Sequence, residues 1–359
     1  MTADLLAGAG AGAGAAVAVA ASAGAGGKSA LVPSVSVRLN NVPLPSPVTA
    51  DLVAVSVSDS LDSPAMFTLQ LVSWDARRSR LTWADDALFA PGAAVAIAMG
   101  YQGREQPLLS GQITALELEY AAGQTPMLTV RGYDARHRLN GPRRTRSFAQ
   151  MTDADIFRQV ASPAGLAIEV EATTVRHEQV FQHNQTDLEF LLERARRIGF
   201  ELLVDGPTLR IRGRRPAGPP AVTLKRDEDV IEFTPRLSTA GQVNAVEVRG
   251  WDVKAKQAIV GQAKAAGAAG EKAVGVSEPV PSKAEADQLA AGQLAAARRD
   301  DVSGAGLCIG NPAVRAGATV SLDGFGTRFG GRYDVVSAEH RFAAGRGYRT
   351  SFEVERSAK

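Results

Sequence analysis

Residues 92–97 read Gly92-Ala-Ala-Val95-Ala-Ile97, and residues 317–322 repeat the pattern as Gly317-Ala-Thr-Val320-Ser-Leu322. Each stretch is a glycine followed by alternating apolar residues, which is typical of a turn that leads into a strand with one buried face. The sequence therefore predicts two strands that begin in the same way, one in each half of the chain.

The residues that follow each stretch extend the repeat. Gly111-Gln-Ile113 and Gly331-Arg-Tyr333 each begin a long alternating run, and one further strand follows each run, at 127–133 and 348–354. The distance between the two glycines differs between the halves, so chance similarity between β meanders is an alternative explanation. If the repeat is real, the chain carries two copies of a related β-domain.

Two helices are predicted between these β-rich halves. Thr152-Asp-Ala-Asp155 and Thr186-Asp-Leu-Glu189 both have the form of a capping box, which places a hydroxyl and a carboxylate at a helix start. Gly199 ends the second helix, and alternating residues on both sides of Asp205-Gly206-Pro207 predict a hairpin. This middle segment therefore reads as a small α+β domain.

Together these patterns predict a mainly β protein with an α+β insertion, in which two related antiparallel β-barrel domains flank a small α+β domain. The predicted domains are a low-complexity Ala/Gly arm over 1–32, a first β-barrel domain over 33–146, an α+β insertion domain over 147–215, and a second β-barrel domain over 216–359 with a mobile segment near 254–281 and a helix near 283–298.

Composition and charge exclude several classes of protein. The 359 residues are 45% hydrophobic and 22% charged, which excludes a wholly disordered or collagen-like chain. A single cysteine, Cys308, excludes an intrachain disulfide, and the four histidines lack zinc-finger spacing. A formal net charge of +2 argues against a protein that coats nucleic acid with its whole surface.

The N-terminal run 7–27 holds only Ala, Gly, Val and Ser. The one charge before it is Asp4, whereas a secretory signal needs a basic start, and Gly-Ala pairs gain too little from leaving water to span a membrane. The stretch from Ser22 to Ser29 is similar to a phosphate loop, but Ser22 replaces its first glycine and Pro33 interrupts the expected helix. The run is interpreted as a flexible low-complexity arm.

No catalytic, cofactor-binding or metal-binding residues are identified, and the chain is not expected to be an enzyme. Neither a Gly-x-Ser-x-Gly elbow nor a His-Glu-x-x-His motif occurs. The neighbouring acids Asp85-Asp86 and Asp300-Asp301 are interpreted as solvated surface, and Cys308 as a buried inert thiol. His137 and His340 are assigned a structural hydrogen bond or an interface role.

Arginines form two clusters that suit phosphate or carboxylate partners. The first comprises Arg131, Arg136, Arg138, Arg143, Arg144 and Arg146, and the second comprises Arg194, Arg196, Arg197, Arg210, Arg212, Arg214 and Arg215. Nucleic-acid binding through these clusters is the alternative function, although no nucleic-acid-binding motif or aromatic interleaving accompanies them. Pairing with acidic neighbours at interfaces, including salt bridges between subunits, is the favoured interpretation.

Several motifs in order carry a family resemblance. They are Gly132-Tyr133-Asp134 with His137-Arg-Leu139, Gln182-x-Asn184-Gln-Thr186-Asp187-Leu188 with Gly199-Phe200, the run 246–252 with Trp251, and Gly331-x-Tyr333, His340 and Tyr348-x-Thr350-x-Phe352. The chain resembles the late control D family of phage tail hub proteins, which is similar to the hub portion of VgrG-type spike proteins of contractile injection systems. The resemblance covers roughly residues 33–356, and the low-complexity start and the Ala/Lys-rich stretch at 254–281 lie outside it.

The resemblance implies a structural baseplate hub without cofactors. Such a hub is a homotrimer whose six related barrels face the hexameric tail tube protein and join it to the trimeric central spike. Baseplate wedge or LysM-type baseplate proteins surround it, and neither nucleic acid contact nor a membrane is required. Because the sequence stops at Lys359, soon after the last hub strand, a separate spike protein is expected. The implied location is cytoplasmic assembly, then the baseplate of a phage tail (virion) or injection particle.

Overall fold

The computed structural model describes residues 32–206, 208–214, 218–238, 243–252, 255–265, 273–277, 280–297 and 302–356. Strands dominate these residues and form one 13-stranded sheet together with four smaller sheets. This mainly β architecture with a few helices confirms the predicted fold class. Within the described ranges, no helix is long and apolar enough to cross a membrane.

The first β-domain forms because alternating residues bury one face of each strand. In strand β4 (Met66–Val72), Phe67, Leu69 and Leu71 are fully buried, while the residues between them are partly exposed. A 3₁₀ turn at Ala87–Phe89 precedes the strand that begins at Ala94. The elements are β1 (Pro33–Leu39), β2 (Val42–Pro43), α1 (Ser46–Ala50), β3 (Leu52–Ser60), β4 (Met66–Val72), β5 (Trp74–Asp75), β6 (Arg80–Leu81), β7 (Ala94–Tyr101), β8 (Gln106–Glu119) and β9 (Met127–Asp134).

The α+β insertion contains both predicted helices with their capping boxes. The Thr152 hydroxyl accepts a hydrogen bond from the Asp155 amide at 3.2 Å, and the Thr186 hydroxyl accepts one from the Glu189 amide at 3.1 Å. Gly199 follows the second helix with φ +72°, as its predicted left-handed stop requires. The elements are β10 (Arg144–Thr152), α2 (Asp153–Ala161), β11 (Ala167–Val170), β12 (Arg176–Gln185), α3 (Asp187–Arg197), β13 (Phe200–Asp205) and β14 (Thr208–Gly213).

The boundary of the insertion lies slightly before residue 147. Strand β10 begins at Arg144 and pairs with β12, not with the first β-domain. Arg146 within it donates hydrogen bonds to Gln182 and Asp187, both of the insertion, at 2.7 Å each. Residues 144–146 therefore belong with the insertion, because their partners lie there.

The second β-domain encloses its own core, separate from the first. Val320, Tyr333 and Val335 are fully buried in it. An isolated bridge between Arg226 and Val230 links the first two strands of its sheet. The elements are β15 (Val222–Lys225), β16 (Val230–Leu237), β20 (Val302–Ile309), β21 (Thr319–Asp323), α5 (Gly326–Phe329), β22 (Gly331–Ala343) and β23 (Gly347–Arg356).

A fourth unit lies between β16 and β20 and has a separate core. Its elements are β17 (Ala245–Asp252), β18 (Gln257–Lys264), β19 (Ala273–Ser277) and α4 (Lys283–Ala297). The helix near 283–298 is confirmed, and the Ser282 hydroxyl caps it by accepting from the Glu285 amide at 3.2 Å. Residues 253–254, 266–272 and 278–279 of the predicted mobile segment near 254–281, and residues 1–31 of the predicted arm, lie outside the described residues.

Within the predicted mobile segment, residues 257–264 and 273–277 form strands β18 and β19. Strand β18 packs against α4 at Gly261, where a Cβ atom would lie 2.3 Å from the carbonyl carbon of Ala286. Small residues here allow a helix to approach a strand closely. A composition rich in Ala and Gly therefore reflects tight packing at this point and not an absence of structure.

Substituting Gly261→Val is expected to destabilise the chain by about 1–3 kcal/mol, because the new side chain forces β18 and α4 apart. Gly275→Val is a matched control in neighbouring strand β19, since nothing lies within 4 Å of a Cβ atom at that position. Urea unfolding followed by circular dichroism measures both variants. Equal stability of the two variants would contradict close packing at Gly261.

Candidate functional site

The two β-domains have the same strand order. Within the 13-stranded sheet, the first domain runs β3-β4-β9-β8-β7-β1-β2, and the second runs β16-β20-β23-β22-β21-β15. When the two-residue strand β2 is set aside and the remaining six strands of each domain are numbered along the chain, both orders read 2-3-6-5-4-1. One direction differs, because β1 is antiparallel to β7 whereas β15 is parallel to β21. A shared order of six strands identifies the two domains as related in topology.

A repeated hydrogen-bond pattern aligns the two sheets residue by residue. The amide of Gly92 donates to the Ile113 carbonyl at 2.8 Å, and the amide of Gly317 donates to the Val335 carbonyl at 2.9 Å. Both glycines have positive φ, +89° and +79°, which side chains other than glycine rarely allow. Gly92 is thus equivalent to Gly317, and Ile113 to Val335.

This alignment corrects the register taken from the sequence, which matches Gly111 with Gly331. Gly111 pairs with Val95, and the residue paired with the equivalent Val320 is Tyr333. The sequence match is wrong by two residues because it follows glycine identity, whereas the turn before the long strand differs in length. A shift of two keeps each side chain on the same face, so the predicted faces are unaffected.

The long strand of each copy contains an irregularity at the same place. Pairing of β8 with β9 shifts between Ile113 and Ala115, and pairing of β22 with β23 shifts between Val335 and Ser337. A β-bulge of this kind bends a strand and changes its neighbours. Beyond its bulge, β22 leaves β21 and pairs with β3 of the first copy, from Ser337–Ser60 to Ala343–Ala54.

The pairing of β22 with β3 is a seam that joins the two copies within one chain. Side chains reinforce it: the Tyr101 hydroxyl donates to the Gly310 carbonyl at 3.0 Å, and Arg315 donates to the Leu108 carbonyl at 3.2 Å. The ring of Tyr348 belongs to the second copy but packs with the first core, 6.2 Å from the ring of Tyr101. This seam is the best-defined interface between repeated units in the molecule.

The first arginine cluster is largely paired within the chain. Arg136 is buried and bound to Asp134, while the remaining pairs are partly exposed. The pairs are Arg131–Glu117 (2.9 Å), Arg136–Asp134 (2.8 Å), Arg143–Glu189 (2.9 Å), Arg144–Asp187 (3.6 Å) and Arg146–Asp187 (2.7 Å). The predicted pairing with acidic neighbours is confirmed for these residues, but their partners belong to the same chain and not to a neighbouring subunit.

The second cluster is paired in the same manner. Its arginines reach carboxylates in all four units, and Arg215 lies outside the described residues. The pairs are Arg194–Asp153, Arg196–Asp62 (2.7 Å), Arg197–Glu285 (3.7 Å), Arg210–Glu169 (2.8 Å), Arg212–Glu201 (2.9 Å) and Arg214–Glu355 (3.4 Å). Because these charges are locally neutralised, the clusters present less free positive charge than the sequence indicates.

A buried ionic network joins the insertion to the fourth unit. The His177 ring nitrogen Nε2 lies 2.9 Å from Asp153 Oδ2, and Arg194 Nε donates to Asp153 Oδ1 at 3.0 Å. His177 Nδ1 faces Glu285 Oε2 of α4 at 3.3 Å. Burial alone lowers the pKa of His177, but the Asp153 and Glu285 carboxylates outweigh it and raise the pKa to about 9. This network is not apparent from the sequence, because its members lie far apart in the chain.

The remaining singled-out side chains have structural roles. His137 Nδ1 lies 2.6 Å from the Asp134 carbonyl, and buried His340 Nδ1 lies 2.8 Å from the Tyr348 hydroxyl, as the structural interpretation predicts. Burial lowers the pKa of His340 to about 4 and raises the pKa of Cys308 to about 12. The burial of the thiol agrees with the interpretation from the sequence.

The acidic pairs do not converge with a partner for catalysis in the part of the chain that the structure describes. Asp86 is exposed and caps the 3₁₀ turn by accepting from the Leu88 amide, which agrees with a solvated surface role for Asp85-Asp86. Asp300-Asp301 lies outside the described residues. Among the residues that are described, no group of three or more His, Cys, Asp or Glu is placed to hold a metal ion.

A family model described as the Alg8 N-terminal domain matches residues 30–344. No curated protein sequence matches the chain. The matching model carries a different description from late control D, so that family name stays a prediction.

Solved structures share the fold over nine-tenths of the chain. The 43 kDa tail protein of prophage MuSo2 from Shewanella oneidensis superposes with a TM-score of 0.68 at 13% identity, covering 90% of this chain and 98% of that one. A tail protein from Neisseria meningitidis MC58 gives 0.67 at 14% identity, with 90% and 96% covered. The E. coli c3393 protein, a component of the type VI secretion system, gives 0.60 at 13% identity, with 90% and 77% covered. At such identities the likeness is one of fold.

Proposed function

We propose that this chain, which belongs to the Alg8 N-terminal domain family, is the structural baseplate hub of a contractile tail or injection system. The fold it shares with phage tail proteins and with a type VI secretion component supports this proposal. The hub acts by shape and by surface complementarity, without catalysis or a cofactor, and is assembled in the cytoplasm before it enters the particle.

The observation that carries the proposal is the shared 2-3-6-5-4-1 strand order of the two β-domains. A chain with two equivalent domains that closes as a homotrimer presents six equivalent domains around one axis. Such a ring matches a hexameric tail tube on one side while its threefold symmetry matches a trimeric spike on the other. Wedge or LysM-type baseplate proteins would then bind its outer surface.

The purified full chain is expected to be a trimer, because a sheet built to continue into neighbours leaves apolar edges exposed in a monomer. Light scattering coupled to gel filtration measures the mass, and class averages viewed down the axis are expected to show six similar densities. A stable, monodisperse monomer at micromolar concentration would contradict the hub proposal.

Nucleic-acid binding is a second candidate that the arginine clusters first favoured. Their intrachain pairing with carboxylates weakens it, because paired guanidinium groups release fewer counterions from a phosphate backbone. The chain is therefore expected to elute from DNA-cellulose at low salt. Retention with a steep dependence on salt concentration would favour the nucleic-acid function instead.

A further inference from the structure

We propose that the exposed end of β8 pairs with β16 of a second copy of this chain, in the register that the internal seam sets. This inference rests on the proposed hub trimer and names the strands through which the trimer closes. It follows from an asymmetry in the duplicated fold: each half of the seam has an equivalent strand, one edge of which stays open among the described residues.

The first open edge is that of the end of β8, whose other edge pairs with β9. Strand β7 pairs with β8 only as far as Gln112, and residues 114–119 are exposed apart from partly buried Leu116. In the second copy, the equivalent stretch of β22 is covered by β3 and contains buried His340. Leu118, which is equivalent to His340, is 42% exposed, and Tyr120 is 69% exposed.

The second open edge belongs to β16, which occupies the place of β3 in the second β-domain. Strand β3 is paired on both edges, with β4 on one side and β22 on the other. Among the described strands, β16 is paired on one edge, with β20. Beyond the isolated bridge at Val230, the described residues place no strand on its other edge. Exposed apolar side chains remain there, with Ile231 45% and Leu237 44% exposed.

The repeat defines which residue of β16 corresponds to each residue of β3. Val57 pairs with Phe67, and Phe67 pairs with Gly132. In the second copy Pro235 pairs with Gly304, and Gly304 pairs with Val354, the equivalent of Gly132. Pro235 therefore occupies the position of Val57, and Arg236 that of Ser58.

Transferring the seam register to these positions gives complementary pairs. In the seam, Glu339 lies opposite Ser58 and Ala338 opposite Asp59. Their equivalents place Glu117 opposite Arg236 and Leu116 opposite Leu237. The Glu117 carboxylate, which also binds Arg131 of its own chain at 2.9 Å, then meets a guanidinium, and an apolar side chain meets an apolar side chain, as stable cross-strand pairs require. The register depends on backbone pairing and not on the identity of these side chains. Their complementarity therefore supports a second copy of the chain as the partner of this edge.

Pro235 makes this ladder weaker than the internal seam. The Leu61 amide and the Val53 carbonyl both bond to the β22 segment, so odd-numbered residues of β3, including Val57, direct their backbone groups towards β22. Pro235 therefore faces the open edge without an N–H, and one hydrogen bond of the ladder is absent. Proline on an edge strand also limits indiscriminate pairing, which leaves the side chains to select the partner.

Cysteine cross-linking tests the register. Glu117 and Arg236 would form a non-hydrogen-bonded pair, whose Cα atoms lie about 4.5 Å apart, within the range of a disulfide. The full chain carrying Glu117→Cys and Arg236→Cys is oxidised and run on a non-reducing gel. We expect the monomer band to be replaced by dimer- and trimer-sized bands that dithiothreitol removes.

Glu119→Cys combined with Arg236→Cys is the matched control, because residue 119 lies on the same face but two residues further, roughly 7–8 Å away on the diagonal. Cross-linking of the 117/236 pair alone supports the proposal. Equal cross-linking of both pairs, or none in a protein that light scattering shows to be a trimer, overturns this interface and leaves the hub proposal standing. A monomeric wild-type chain overturns both.

Discussion

The variant Asp153→Ala is expected to lose about 3–5 kcal/mol of folding free energy, because it leaves buried positive charge without its partner. Asp153 is fully buried at the start of α2 and binds both Arg194 and His177. Removing its carboxylate leaves the Arg194 guanidinium largely desolvated, with only the His177 ring beside it. The measurement is chemical denaturation at pH 7, followed by circular dichroism.

Two control variants separate the charge from other effects. Asp153→Asn keeps the shape of the side chain, so a loss close to that of alanine attributes the effect to charge and not to a cavity. Asp62→Ala breaks an exposed pair with Arg196 and is expected to cost at most about 1 kcal/mol. An Asp153→Ala loss as small as that of Asp62→Ala would contradict the role of the buried network.

Stability is expected to fall on both sides of neutral pH, and a different histidine causes each decline. The pKa of His177 is raised to about 9, so its contribution is complete below pH 6.5 and is lost as the pH rises through 9. The pKa of His340 is lowered to about 4, so its contribution is complete above pH 6.5 and is lost as the pH falls through 4.

Single variants assign the two declines. The free energy of unfolding is measured between pH 4 and pH 9 for the wild type, His177→Asn and His340→Asn. His177→Asn is expected to flatten the alkaline side only, and His340→Asn the acidic side only. The groups facing His177 are Asp153, Arg194 and Glu285, so an unchanged alkaline slope in His177→Asn would assign it to another group.

Local features of the fold were predictable from the sequence because they depend on residues close together in the chain. Alternation in Phe67, Leu69 and Leu71 identifies the buried face of β4. The Thr152 and Thr186 capping boxes mark the starts of α2 and α3. Where composition replaced pattern, as in the stretch around Gly261, strand β18 was not predicted, since a glycine allows close packing as readily as it allows flexibility.

The candidate interface was only partly predictable. The repeat of Gly92 and Gly317 was visible, but its register came from hydrogen bonds of Ile113 and Val335 that a sequence comparison does not contain. The carboxylate partners of the arginines lie up to 141 positions away, as in the pair of Arg214 with Glu355. Distance along the chain therefore hid both the seam and the neutralisation of the clusters.

By itself, the amino-acid sequence determined the strand content, the helix starts and the existence of two similar halves, because alternation, capping and turns act over a few residues. The tertiary structure alone decided that β22 crosses to β3, that His177 and Glu285 meet in the core, and that no described strand covers the outer edges of β8 and β16. These features depend on which distant strands and helices pack together, and that choice minimises the free energy of the whole chain and not of any one segment.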